Sequence, residues 1–148
     1  LTAPERLWTV PPLDVSLDTR LGASVTLVGV QLTPYQMPLH AGEPFTVTLV
    51  WRDEAELDTA LRVFVHLQDD SGYPVTQSDG EPVQWSRPTT GWLPGEIVLD
   101  ERTLSLPPDL APGRYRLVAG LYAPEGPRLL TADGRDAVLI TELWVAEP

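Results

Sequence analysis

From Phe45 to Val145 the chain repeats one pattern: a short run of alternating apolar and polar residues, then a turn marked by Pro, Gly or Asp. Phe45-Thr46-Val47-Thr48-Leu49-Val50-Trp51-Arg52 is the clearest run, with Phe45, Val47, Leu49 and Trp51 on one face. A two-residue period belongs to a half-buried strand, because successive side chains leave a strand on opposite sides. Its recurrence at hairpin spacing predicts an all-β domain. The expected architecture is a two-sheet antiparallel sandwich, Ig-like or Greek-key in broad outline, with seven to nine strands.

The runs place strands at Ser24 to Leu32, Phe45 to Arg52, Leu61 to Gln68, Tyr73 to Gln77, Ile97 to Leu106, Arg116 to Tyr122 and Ala137 to Val145. A brief additional strand is expected at Arg128 to Thr131. Phe64 gives the third of these runs apolar residues on both faces, which predicts a central strand. Asp69-Asp70-Ser71-Gly72 and Asp133-Gly134 have the composition of tight turns. Asp53 to Ala60 reads as a polar crossing between strands, and Ser78 to Gly95 as the longest irregular stretch. Leu1 to Leu21, interrupted by Val10-Pro11-Pro12, reads as an irregular linker or an edge segment. Residues 22–148 are then a single sandwich domain.

Composition narrows the chemistry. A chain of 148 residues can build a core without a disulfide or metal staple, and it has no cysteine, which excludes thiol catalysis and thiolate metal sites. Sixteen prolines lie mostly between the apolar runs, where a residue lacking N–H does no harm to a ladder. All ten basic residues are Arg, with no Lys and no Asn, as codon usage in a GC-rich genome would give. The net charge of −11 disfavours nucleic acid and anionic lipid as partners. The longest apolar run, Leu117 to Ala123, is far short of a membrane span of about 20 residues. A start at Leu1 without a leader suggests an excised domain or processed fragment.

No arrangement of residues announces a reaction. There is no Gly-x-Ser-x-Gly elbow, no Gly-rich phosphate loop and no spaced calcium loop, so no cofactor and no metal site is assigned. Asp69-Asp70, Asp79-Gly80-Glu81 and Asp133 with Asp136 are carboxylate groups of the kind that hairpin turns require. His66 shares a face with Phe64 and reads as a structural histidine. The aromatics carry the functional lead. Trp85 and Trp92 bracket a long loop, and Tyr73 begins the neighbouring return strand. Exposed, these rings would stack on a sugar, aided by Arg87 and Asp79. A Trp92 that instead plugs the end of the sandwich outweighs that reading, because Trp gains much by burial. Trp51 and Tyr115 read as core or corner residues, and Trp144 as core or edge.

Val63-Phe64-Val65-His66-Leu67, Trp92-Leu93-Pro94-Gly95-Glu96 and Pro112-Gly113-Arg114-Tyr115-Arg116-Leu117, followed by Gly120-Leu121-Tyr122, together resemble a known domain. It is the soluble β-sandwich domain that follows the membrane part of bacterial glycosyltransferases of the dolichyl-phosphate-mannose type. Pro112 to Tyr115 also resembles the corner before a central strand of Greek-key sandwiches, where a Tyr hydroxyl ties back to nearby backbone. The resemblance implies an accessory domain on the extracytoplasmic side of a bacterial membrane, partnered by the membrane or catalytic part of its parent. It carries over no catalytic residue. Three functions stand in order: a non-catalytic accessory module, a carbohydrate-binding module using loop aromatics, and, last, a small independent hydrolase.

Overall fold

A computed structural model of the chain describes residues 5–148. Among the described residues eight strands form: β1 (Val15–Leu21), β2 (Val25–Thr33), β3 (Pro44–Asp53), β4 (Arg62–Gln68), β5 (Pro74–Gly80), β6 (Ile97–Ser105), β7 (Gly113–Tyr122) and β8 (Val138–Val145). They make two four-stranded sheets, ordered β1-β2-β3-β6 and β5-β4-β7-β8, with every pairing antiparallel. The pairs β3–β6 and β4–β7 join strands that are not consecutive in the chain, the interlock of a Greek-key sandwich. Among the described residues no helix is long and apolar enough to cross a membrane.

Alternation along the strands decides what lies between the sheets. Phe45, Val47, Leu49 and Trp51 of β3 are each 0% exposed and face Val63, Val65 and Leu67 of β4 and Leu117, Ala119 and Leu121 of β7 in one core. Full burial of side chains of this size stabilises a fold by about 1.5–3 kcal/mol each. The corner before β7 closes as its composition implies: the Tyr115 hydroxyl donates to the Ala111 carbonyl at 2.6 Å. That bond turns the chain from one sheet into the other.

Both outer faces are partly covered. Leu7 bridges Ile97, the Pro12 carbonyl accepts from Gln31, and Leu13 packs on Val28, Val50 and Ile97. The segment ahead of β1 therefore crosses the outside of the first sheet. On the second sheet, the β7–β8 connection folds back over β4, setting the Arg128 guanidinium 3.9 Å from the centre of the Phe64 ring. Phe64 is accordingly 1% exposed although it points away from the core. That covering explains the apolar residues on both faces of the central strand.

Two expectations are corrected. Residues 1–21 are not irregular throughout: Val15–Leu21 is an edge strand paired with β2, while residues 1–4 lie outside the described residues. The Val10-Pro11-Pro12 break ends before it, and Val15, Leu17, Thr19 and Leu21 alternate as its less exposed residues through a bulge at Asp18 (φ 56°). Arg128 to Thr131 is not a strand but a single bridge from Arg128 to Tyr122, within the connection that covers Phe64.

Candidate functional site

The long β5–β6 connection is built around one buried carboxylate. Glu96 is 0% exposed, and its Oε2 accepts from Arg87 Nη2 at 2.6 Å. Its Oε1 accepts from Arg6 Nη1 at 2.6 Å and from the Leu93 amide at 3.0 Å. Burial by itself pushes the Glu96 carboxyl up, but the Arg87 and Leu93 hydrogen bonds and the Arg6 guanidinium outweigh it and hold the group below the ordinary carboxylate range. Trp92 is 1% exposed and donates its indole N–H to the Arg87 carbonyl at 3.0 Å. Thr89 fastens the loop further, accepting from the Leu61 amide and donating to the Thr59 carbonyl.

These contacts dissolve the five-residue sugar platform. Trp92 is the plug at the end of the sandwich, and Arg87 is tied to Glu96 rather than offered to a ligand. Tyr73 is exposed but stands before the first residue of β5, whereas Trp85 packs on Gly80 at the last. Seven residues of extended chain separate those ends, roughly 23 Å. Of the five, Trp85 and Asp79 meet at one cleft, and Trp92 and Arg87 meet inside the closed loop.

Trp85 and Asp79 share a cleft of about 280 Å³ with Glu81, Gln84 and Glu101. Trp85 is 55% exposed, on a turn in which Val83, Gln84 and Trp85 all adopt left-handed φ of 54°, 53° and 70°. Each such residue costs roughly 1–2 kcal/mol, so other contacts must hold the turn. One is the Val83 amide, which donates to Asp100 Oδ1 at 2.9 Å. Asp100 and Arg102 are inward-facing neighbours on β6 and pair at 2.9 Å inside the fold. Arg102 also donates to the Gly80 and Glu81 carbonyls at 2.9 and 3.2 Å, binding β6 to the end of β5. The Trp85 ring lies against Gly80, where an added Cβ would come 3.0 Å from its Nε1, and the Arg62 guanidinium sits 5.2 Å from the ring centre.

A second concavity lies at the opposite edge, between β8 and the β2–β3 connection. It measures about 490 Å³ and is floored by Leu32 and Leu143. Trp144 (59% exposed), Met37 (66%) and Tyr35 (39%) rim it beside Gln36, Thr141 and Glu142. The register places Trp144 opposite Arg114 and Glu142 opposite Arg116 on the outer face, with Leu143 opposite the inward Tyr115. Leu39 anchors the facing loop: its amide donates to the Trp144 carbonyl at 2.7 Å, and its carbonyl accepts from the Ala146 amide at 2.8 Å. The sequence signal for this site was weak. Trp144 read as core or edge, and Tyr35 and Met37 fell in a proline-rich loop.

Among the described residues, no group of three or more His, Asp or Glu side chains is placed to hold a metal ion. Asp69 accepts from the Ser71 amide and hydroxyl and from the Tyr73 amide, and Asp133 accepts from the Thr131 hydroxyl, so both shape their own turns. His66 lies beside Phe64, its ring 5.1 Å away, with Nε2 3.5 Å from Asp79 Oδ1. Burial lowers its pKa, with Asp79 opposing.

No family model and no curated protein matches the chain. Its fold is similar to that in the crystal structure of the C-terminal domain of wzt, with a TM-score of 0.59 over 93% of this chain and 83% of that one. The two sequences are 12% identical, and the likeness is one of fold. In this chain that fold consists of two stacked antiparallel sheets of four strands, with a tyrosine corner ahead of β7.

Proposed function

We propose that this chain is a non-catalytic accessory module of a larger membrane or envelope protein, and that it works by contact. The observation supporting this most directly is how its buried charges are used. Glu96 is held by Arg6 and Arg87, and Asp100 by Arg102, so these two buried acids tie loops to strands, while the third, Asp53, accepts only from the nearby Ala55 amide. A catalytic acid or base has to meet substrate at hydrogen-bond distance, with its proton free to move. The resemblance of Val63 to Leu67, Trp92 to Glu96 and Pro112 to Tyr122 favours a glycosyltransferase as parent, and the extracytoplasmic side of a bacterial membrane as location.

The test is turnover. The purified domain should leave chromogenic glycosides, carboxylic esters and phosphate esters unhydrolysed above a buffer blank. Hydrolysis that follows the protein through purification and disappears in a folded His66→Gln variant would defeat this reading.

Carbohydrate binding is the second reading. It is favoured by the exposed rings of Trp85 and Trp144, each beside carboxylate and hydroxyl or amide side chains. Tyr and Trp suit surfaces that are apolar at one end and wet at the other.

A further inference from the structure

We infer that the groove between β8 and the β2–β3 connection, rimmed by Tyr35 and Trp144, is a binding subsite for a neutral glycan. This rests on the accessory-module reading and names the ligand class of one face of it. The volume of about 490 Å³ lies within the roughly 300–1,000 Å³ typical of small-ligand sites. Its composition is mixed in a particular way. Trp144, Tyr35 and Met37 supply exposed apolar surface, and the Tyr35 hydroxyl, Gln36 amide, Thr141 hydroxyl and Glu142 carboxylate stand around it. A sugar ring has the matching character, with C–H groups on a face and hydroxyls at its rim that both donate and accept. Gln36 already donates to the Tyr35 hydroxyl at 3.3 Å, an exposed bond that a ligand hydroxyl can join or replace.

Charge selects the neutral class. The chain carries −11 overall, and no arginine lines the groove. The nearest basic partner of a lining residue, Arg114, is paired with Glu142 at 3.1 Å. An acidic polysaccharide would meet the Glu142 carboxylate and a negative surface field.

Backbone geometry disfavours a peptide. An extended peptide binds a sheet edge by continuing its ladder, but at the C-terminal end of β8 part of that edge is already paired. Leu39 occupies the Trp144 carbonyl and the Ala146 amide in a parallel bridge. Between the two exposed tryptophans, Trp144 is the better platform, because the Trp85 ring packs against Gly80 and lies under Arg62.

The test is isothermal titration of the purified domain with mannan, glucan, galactan and arabinan oligosaccharides, with an alginate oligosaccharide as the anionic control. Wild type should bind at least one neutral glycan and not alginate. Trp144→Ala should weaken that binding about tenfold or more, as loss of one stacking ring does, and Tyr35→Ala several-fold. Both side chains are exposed, so melting temperatures should stay near wild type and report folding directly. Leu130→Ala, at an exposed side chain outside the groove, should leave binding unchanged. Loss in Trp85→Ala with Trp144→Ala unaffected would overturn this subsite while leaving a glycan-binding module standing. Absence of any neutral-glycan binding by wild type would overturn the inference, leaving the accessory reading to its turnover test. Sedimentation of a dimer that Trp144→Ala dissociates would assign the groove to a second copy instead, and Trp144-dependent binding of an extended peptide would assign it to a peptide.

Discussion

Arg87 donates to Glu96 across 2.6 Å at a carboxylate with no exposed surface, so the bond joins the β5–β6 connection to the first residues before β6 from the inside. Removing one partner of a buried pair leaves the other charged, dry and short of a ligand. Such losses typically cost about 3–5 kcal/mol. Because Arg6 and the Leu93 amide stay on Glu96, Arg87→Ala should cost less, about 2–3 kcal/mol by urea denaturation at pH 7. The Glu96 pKa lies below its ordinary value, so its stabilisation is full above the ordinary carboxylate range and fades as pH falls. The penalty of Arg87→Ala should therefore shrink toward pH 3. A penalty independent of pH would mean that Arg87 matters only through its aliphatic stem.

Asp53, 0% exposed at the end of β3, behaves in the opposite sense. Burial pushes its carboxyl up to about 6, with the Glu96 and Glu54 charges adding to the push. Its Oδ2 has no hydrogen-bond partner, while its Oδ1 accepts from the Ala55 amide at 3.4 Å. A carboxylic acid with a raised pKa is folded most favourably when protonated. Its contribution declines as pH rises from the ordinary value near 4 to about 6, and the cost is then fully present. Asp53→Asn keeps the acceptor and removes the charge. At pH 7.5 it should raise stability by about 1–2 kcal/mol, the shift being discounted for partial screening by solvent. At pH 4 it should change little. A destabilised variant at pH 7.5 would show that the ionised form has a role in the fold.

The strands were legible because burial in a sandwich follows a local period. Phe45, Val47, Leu49 and Trp51 announce one inner face without reference to anything distant. Asp100 and Arg102 show where that logic ends. They occupy inward positions of β6, between Val98 and Leu104, and their alternation alone marks a charged pair inside the core. What satisfies them is the end of β5 and the turn at Val83, and a sandwich brings these together only once its sheets close. Trp92 reads as a plug from the gain a Trp makes on burial, but the polar loop it shares with Trp85 carries no period that fixes the direction of either ring. The groove depended on pairing Leu39 with Val145, a contact between chain segments with no shared pattern.

Gly120 on β7 meets the Phe64 ring on the covered outer face of the second sheet. An added Cβ would stand 2.5 Å from Phe64 Cζ and 2.6 Å from Cε1, with the Asp136 carbonyl 3.4 Å away on the other side. Phe64 cannot simply swing aside, because Arg128 sits over its ring. Gly120→Ala should therefore destabilise by about 1–3 kcal/mol, as overpacking does, despite the general preference of strands for Ala over Gly. Pairing it with Phe64→Leu should recover part of the loss in a double-mutant cycle. Equal losses with and without the Phe64 substitution would place the clash elsewhere.

Trp92 and Trp85 lie seven positions apart in one connection and should answer substitution in opposite ways. Trp92→Ala empties a site with 1% exposure and also removes the donor to the Arg87 carbonyl. It should cost about 3–5 kcal/mol, and Trp92→Phe about 1–2 kcal/mol, because the ring volume is largely kept and one hydrogen bond goes. Trp85→Ala removes a ring that is 55% exposed and should stay within about 1 kcal/mol of wild type. Acrylamide quenching separates the two directly. Loss of Trp85 should remove a readily quenched emission component, whereas Trp92→Phe should remove a protected one. A Trp92 as open to quencher as Trp85 would mean that the loop does not plug the sandwich, and that Arg87 and Glu96 are less enclosed than their 2.6 Å bond requires.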